Sequence, residues 1–122
     1  MTRFWQRCEG NTAVEFALIA PAFVAMLIGS LYAAMLGFSY INLQYAAEDA
    51  ARCAAVKTSV CGSAAATEIY AQGDYSGMST TPTFTWAAAA CGSQVKATAT
   101  YTLQAYFVTV AVPLSVTACY PT

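Results

Sequence analysis

The chain has 122 residues, 58% of them hydrophobic and 9% charged, with a formal charge of -1. That balance excludes an electrostatic nucleic-acid binder, and the lack of histidine and of a Gly-rich phosphate loop leaves little for catalysis. The apolar excess lies in the first half, so the composition describes one membrane helix joined to one small domain rather than a single globule.

Residues 1–10 read as a short basic leader carrying Arg3 and Arg7. An uncharged apolar run follows over residues 16–41. At helical rise it is about 39 Å long, ample for a hydrocarbon core of about 30 Å. A secretory signal peptide is a poor match, because its apolar core runs to about 7 to 15 residues and ends at a small-residue cleavage site. Two arginines precede the span, whereas Glu48 and Asp49 are the first charges after it. The positive-inside rule then puts the N-terminus in the cytoplasm and the C-terminal part on the exported side. Phe4 and Trp5 on one flank, with Tyr40 and Tyr45 on the other, suit interfacial anchoring.

Glu15 stands at the edge of this run, five residues after Gly10. One reading makes it a helix-start residue: Asn11 or Thr12 caps the helix, and Thr12-Ala13-Val14-Glu15 fits the Ser/Thr-x-x-Glu capping box. Pro21 removes a backbone hydrogen bond further in and should bend the helix. Ala13, Ala17, Ala25, Gly29, Ala33 and Gly37 recur at every fourth place, with Pro21 in the gap. Such a row lets neighbouring helices approach closely, and it winds around the helix because four residues overshoot a full turn. An alanine-rich sequence also meets the pattern by chance.

Residues 42–56 contain no Gly or Pro and continue the helix into the exported side, with Glu48 and Arg52 placed as an i,i+4 ion pair. Cys61-Gly62 breaks it. A second short helix is expected from a Ser63 N-cap to residue 72, ended by Gly73. Strand candidates are residues 83–86, with Phe84 and Trp86 on one face, residues 93–101, with Val95, Ala97, Ala99 and Tyr101 on one face, and residues 114–118. The connection over residues 102–113 holds Leu103, Tyr106, Phe107, Val108 and Val110, too apolar for an ordinary exposed loop; it packs on the helix or meets a partner. The expected fold class is α+β: a long N-terminal transmembrane helix continuing into a small exported domain with a short helix and about three antiparallel strands.

Residues 57–122 are few for a self-sufficient core, so cross-links matter. Cys8 precedes the span; Cys53, Cys61, Cys91 and Cys119 follow it. Four cysteines in an oxidising compartment imply two disulfides, and without histidine or a Cys-x-x-Cys pair no zinc site is expected. Cys91 precedes the second strand and Cys119 closes the third, which pairs them and leaves Cys53 with Cys61. Loop-closure entropy makes these worth about 3.5 and about 2.5 kcal/mol. Strict pleating, however, puts Cys91 on the Val95 face and Cys119 on the opposite one, so the pairing requires a bulge or non-strand ends.

Glu68 and Asp74, like Glu48 and Asp49, form no recognisable catalytic dyad, and no enzyme activity is expected. Glu15 is the distinctive group: a carboxylate deep in the membrane costs about 2.5 to 3.5 kcal/mol, which a free N-terminal amine on a neighbouring helix would offset. The run Arg7-Cys8-Glu9-Gly10-Asn11-Thr12-Ala13-Val14-Glu15-Phe16-Ala17-Leu18-Ile19-Ala20-Pro21 contains a glycine, four residues, then Glu-Phe. It resembles the processing site of prepilins and is similar to the start of TadE-like pseudopilins of tight-adherence (Tad, or Flp) pilus systems. Ala51-Arg52-Cys53-Ala54-Ala55-Val56, and Cys91-Gly92 with Cys119-Tyr120-Pro121, also look like that family.

The resemblance implies a pilin-like fold divided into a cleavable leader over residues 1–10, a helix over residues 11–58 and an exported domain over residues 59–122. A membrane prepilin peptidase would cut between Gly10 and Asn11, and Glu15 with Phe16 would meet other subunits, with Gly29, Ala33 and Gly37 packing helices. Asn11 departs from the phenylalanine usual at the first mature position of ordinary type IV pilins. The exported domain exceeds that of the very small major Flp pilins, which favours a minor subunit or assembly primer. The implied partners are the lipid bilayer, the peptidase and other pilins and pseudopilins, with no cofactor and no metal, in the bacterial inner membrane with the C-terminal domain periplasmic. The competing readings are an unprocessed bitopic anchor subunit and an exported ligand-binding or adhesive module that uses residues 103–110.

Overall fold

The computed structural model describes residues 9–105 and 108–122. In chain order its elements are α1 (Glu9–Val56), α2 (Ala64–Asp74), β1 (Thr83–Ala89), β2 (Gly92–Ala105) and β3 (Val108–Tyr120). The strands form one antiparallel sheet in the order β1-β2-β3, so the fold is α+β, as the apolar run followed by alternating segments required. The expectations attached to Arg3, Phe4, Trp5, Arg7, Cys8, Tyr106 and Phe107 lie outside the described residues. By compactness the chain divides into two units, Met1–Ala34 and Met35–Thr122.

In the first unit, residues 12–34 are exposed apart from half-buried Ala20 and Tyr32. Large apolar side chains point outward on every side of the helix, including Phe16, Leu18, Ile19, Phe23 and Met26. A helix apolar all round is one covered by other protein or by lipid, and this one is long and apolar enough to cross a membrane. Pro21 lies inside α1 without ending it. The helix already runs at Glu9, which corrects the capping expectation. An N-cap residue needs non-helical backbone, whereas Asn11 and Thr12 sit within the helix.

The second unit is built on α1 from Met35 onward. Leu43, Ala46, Ala47, Ala50 and Ala51 are buried there, a spacing of three and four that defines one helix face. This alanine face belongs to the same buried core as the sheet. The opposing layer consists of Phe84 on β1, Val95, Ala97, Ala99 and Tyr101 on β2, and Leu114, Val116 and Ala118 on β3, joined by Ala71 of α2. The face expected for residues 93–101 is the buried one. Phe84, Leu43 and Val95 are almost fully enclosed, each worth about 1.5 to 3 kcal/mol of apolar burial.

Helix α2 starts as its sequence dictates: Ser63 Oγ accepts from the backbone N–H of Ala66 at 3.2 Å, and the Thr67 hydroxyl donates to the Ser63 carbonyl at 2.9 Å. It runs through Gly73 to Asp74, one residue beyond the expected stop. A single glycine costs a helix only about 1 kcal/mol.

The larger correction concerns residues 102–113. Residues 102–105 and 108–113 are strand rather than connection. Both strands continue, so that Leu103 pairs with Val110 and Ala105 with Val108, and only residues 106 and 107 separate the strands. Pro113, which marked a boundary in the sequence, lies inside β3 opposite Thr100. Strand β3 is an edge strand, where a missing N–H is tolerated because it need not face a partner.

Candidate functional site

The residues singled out by the sequence fall along α1. Gly10 and Asn11 lie in its opening turns. Glu15 is exposed on the helix beside Phe16, which is 73% exposed. No cap engages Glu15, since the helix starts well before Thr12. It stands instead as a carboxylate on a wholly apolar rod. Ala33 is exposed, and a Cβ placed on Gly29 or Gly37 would meet nothing within 4 Å. These positions thin the helix surface and leave room for another backbone to come close.

The two disulfides belong to the second unit. Cys53 at the end of α1 bonds Cys61, with Cα atoms 5.7 Å apart, and pins the break that separates α1 from α2. Cys91 bonds Cys119 across 6.3 Å. The pleating conflict disappears because Cys91 is not in a strand: with Ala90 it forms the turn between β1 and β2. The residue after it, Gly92, has φ +118°, and a Cβ there would stand 2.2 Å from the Tyr120 carbonyl oxygen. Only glycine fits both constraints.

An open groove of about 500 Å³ runs between α1 and the end of β3, lined by Tyr45, Glu48, Asp49, Arg52, Thr117 and Tyr120 among others. The sequence reading missed it, because nothing in residues 114–120 says which side of the sheet faces Glu48. The expected Glu48–Arg52 pair is replaced: Glu48 Oε1 accepts from Gln44 Nε2 at 2.6 Å, one turn earlier. The Tyr70 hydroxyl of α2 donates to Asp49 Oδ2 at 2.7 Å. That hydrogen bond, helped by burial and by the carboxylate's charge, raises the Tyr70 pKa above its ordinary value. Glu68 is likewise structural, accepting from the Trp86 backbone N–H at 3.3 Å, while Trp86 Nε1 donates to Ser93 Oγ at 2.7 Å.

Glu48, Asp49 and Glu68 each accept a hydrogen bond within the second unit. Among the described residues no group of three or more His, Cys, Asp or Glu side chains gathers as a metal site. The four cysteines of the second unit are consumed as disulfides. What remains distinctive is a long apolar helix, fit to anchor the chain in a membrane, with Glu15 at the edge of its apolar run.

Comparison with curated proteins and with solved structures gives no match. The family model described as TadE-like protein matches residues 10–52. The matched stretch opens on Gly10, includes Glu15 and the uncovered apolar helix, and reaches the alanine face buried in the second unit. Residues 10–52, about a third of the chain, are therefore similar to the TadE-like family.

Proposed function

We propose that the chain is a pseudopilin, or minor pilin, that acts in assembly of a Tad-type pilus for surface adherence and is itself the substrate of a prepilin peptidase. The observation that carries this reading is the family match beginning at Gly10, on a helix whose next carboxylate is Glu15. Cleavage after Gly10 frees the amine of Asn11 within the first turns of α1, beside a helix that offers lipid or other helices an apolar surface on all sides. The Asn11 amine of one subunit and the Glu15 carboxylate of another then form a charge-assisted pair where water is scarce. The leader stays in the cytoplasm, α1 spans the inner membrane, and residues from about 59 onward fold on the periplasmic side, where two disulfides are chemically at home.

Intact-mass measurement on the full chain co-expressed with a prepilin peptidase tests the reading. The expected product begins at Asn11. A chain that keeps residues 1–10 under conditions where a known prepilin is cut would replace this function with that of an unprocessed membrane anchor. The adhesive-module alternative gains no support from residues 103–110, whose described part is a strand hairpin rather than a binding loop.

A further inference from the structure

The sheet carries an apolar stripe that outruns its cover. Tyr101 on β2 and Leu114, Val116 and Ala118 on β3 are buried. The same pleat face continues with Leu103 on β2 and with Val112, Val110 and Val108 on β3, Tyr101 standing opposite Val112 and Leu103 opposite Val110. Burial fades along it: Leu103 and Val112 are half-buried, Val110 is 47% exposed and Val108 58% exposed. Strand β1 pairs with β2 only from Gly92 to Thr98, so the far end of the hairpin is two-stranded.

A chain of hydrogen bonds fixes which end of the unit this is. Ser39 Oγ accepts from the Met78 backbone N–H at 3.1 Å, and Asn42 Oδ1 accepts from Ser76 Oγ at 3.0 Å. Two residues on, the Thr80 N–H donates to the Thr100 carbonyl at 3.0 Å, and the Thr100 N–H donates to Thr80 Oγ1 at 3.2 Å. Thr100 therefore lies at the level of the first turns of α1 within this unit, whereas Thr117 and Tyr120 line the groove with Tyr45 and Arg52. Beyond Thr100 the hairpin runs on toward the end where the chain enters the unit from the apolar helix. No charged residue follows Lys96 in the sequence.

We infer that the exposed side chains of Val108 and Val110 on β3, with half-buried Leu103 beside them on β2, form a second lipid-contacting element seated at the headgroup boundary of the membrane that α1 enters. The inference rests on the membrane-anchor part of the proposed function. A folded unit tethered at that end is held at the bilayer surface, and an uncharged apolar hairpin end loses nothing by meeting it. Depth is limited by the backbone: the free edge of β3 has N–H and C=O groups that hydrocarbon cannot satisfy, so the strands stop among the headgroups. A second copy of the chain is the weaker occupant, because a stable interface needs about 1,200 to 2,000 Å² and a few side chains fall short of that.

The test uses the unmodified full chain in vesicles of zwitterionic lipid that contain a phospholipid with a photoactivated carbene source near its headgroup. After irradiation, lipid adducts are mapped by peptide mass analysis. Adducts are expected in peptides from residues 12–34 and in the peptide covering residues 103–112, and not in that of residues 83–89. The double substitution Val108→Ser with Val110→Ser should abolish the hairpin adducts and keep those on the helix. Adducts on residues 12–34 without any on the hairpin would overturn the inference and leave the anchor standing. Adducts on neither would remove the anchor and the inference together. Loss of hairpin adducts on raising the protein-to-lipid ratio, with chain-to-chain crosslinks in their place, would assign the surface to a second copy.

Discussion

Residues 12–34 and residues 35–56 belong to one continuous helix and share an abundance of alanine, yet the first stretch is almost wholly exposed and the second has an enclosed face. The difference lies in what accompanies the alanines. In the first stretch large apolar side chains project in every direction, so no single protein surface could cover them. In the second, Leu43, Ala46, Ala47, Ala50 and Ala51 form one thin apolar face while Glu48 and Arg52 stay outside it. One face calls for a sheet. An apolar surface all round calls for lipid or other protein on every side.

Four measurements would break or sharpen that contrast. The largest effect on folding is expected from Phe84→Ala, which empties the most voluminous enclosed position of the sheet. The second unit should lose about 3 to 5 kcal/mol in denaturant unfolding of the full chain in detergent, with the helicity of residues 12–34 unchanged. An equal loss of helicity there would mean that the two stretches unfold as one. Glu15→Gln should do the reverse. Unfolding and membrane insertion stay as in the parent, while co-purification with processed pilus subunits falls by the equivalent of about 2 to 5 kcal/mol, because the partner amine is left unpaired. Association like that of the parent would reduce Glu15 to an ordinary surface carboxylate.

Enlarging alanine by the same amount in both stretches is a direct comparison. Ala50→Leu overfills the helix–sheet contact and should cost about 1 to 3 kcal/mol, whereas Ala25→Leu, at an exposed position, should leave folding unchanged in the same assay. The smallest effect belongs to Tyr70→Phe, which removes the hydrogen bond to Asp49 and should cost about 1 kcal/mol. The Tyr70 pKa is raised in the folded state. Its contribution is therefore fully present below the ordinary tyrosine pKa of about 10 and is lost as pH rises through the folded value. Melting temperatures of parent and Tyr70→Phe should differ at neutral pH and converge in strong alkali; a constant gap would show that Tyr70 acts by packing alone.

The sequence by itself determined the elements and their order. The apolar run without charge has only one regular structure long enough to hold it, Ser63 supplies a cap wherever it stands, and alternation over residues 93–101 and 114–118 can only be a half-buried strand. These are local properties, legible one residue at a time. The same holds for the Gly10 to Phe16 pattern that the family match covers. Tertiary structure decided the rest. It turned residues 102–105 and 108–113 into strand, because pairing of Leu103 with Val110 depends on a neighbour that no local pattern names, and because an edge position absolves Pro113. It placed Cys91 in a turn, where the pleat no longer governs which way its sulfur faces. It gave Asp49 to a tyrosine 21 residues away. Above all it divided α1 into an exposed and an enclosed stretch, since burial belongs to a residue together with what packs against it, and the alanines alone carry no record of where the sheet begins.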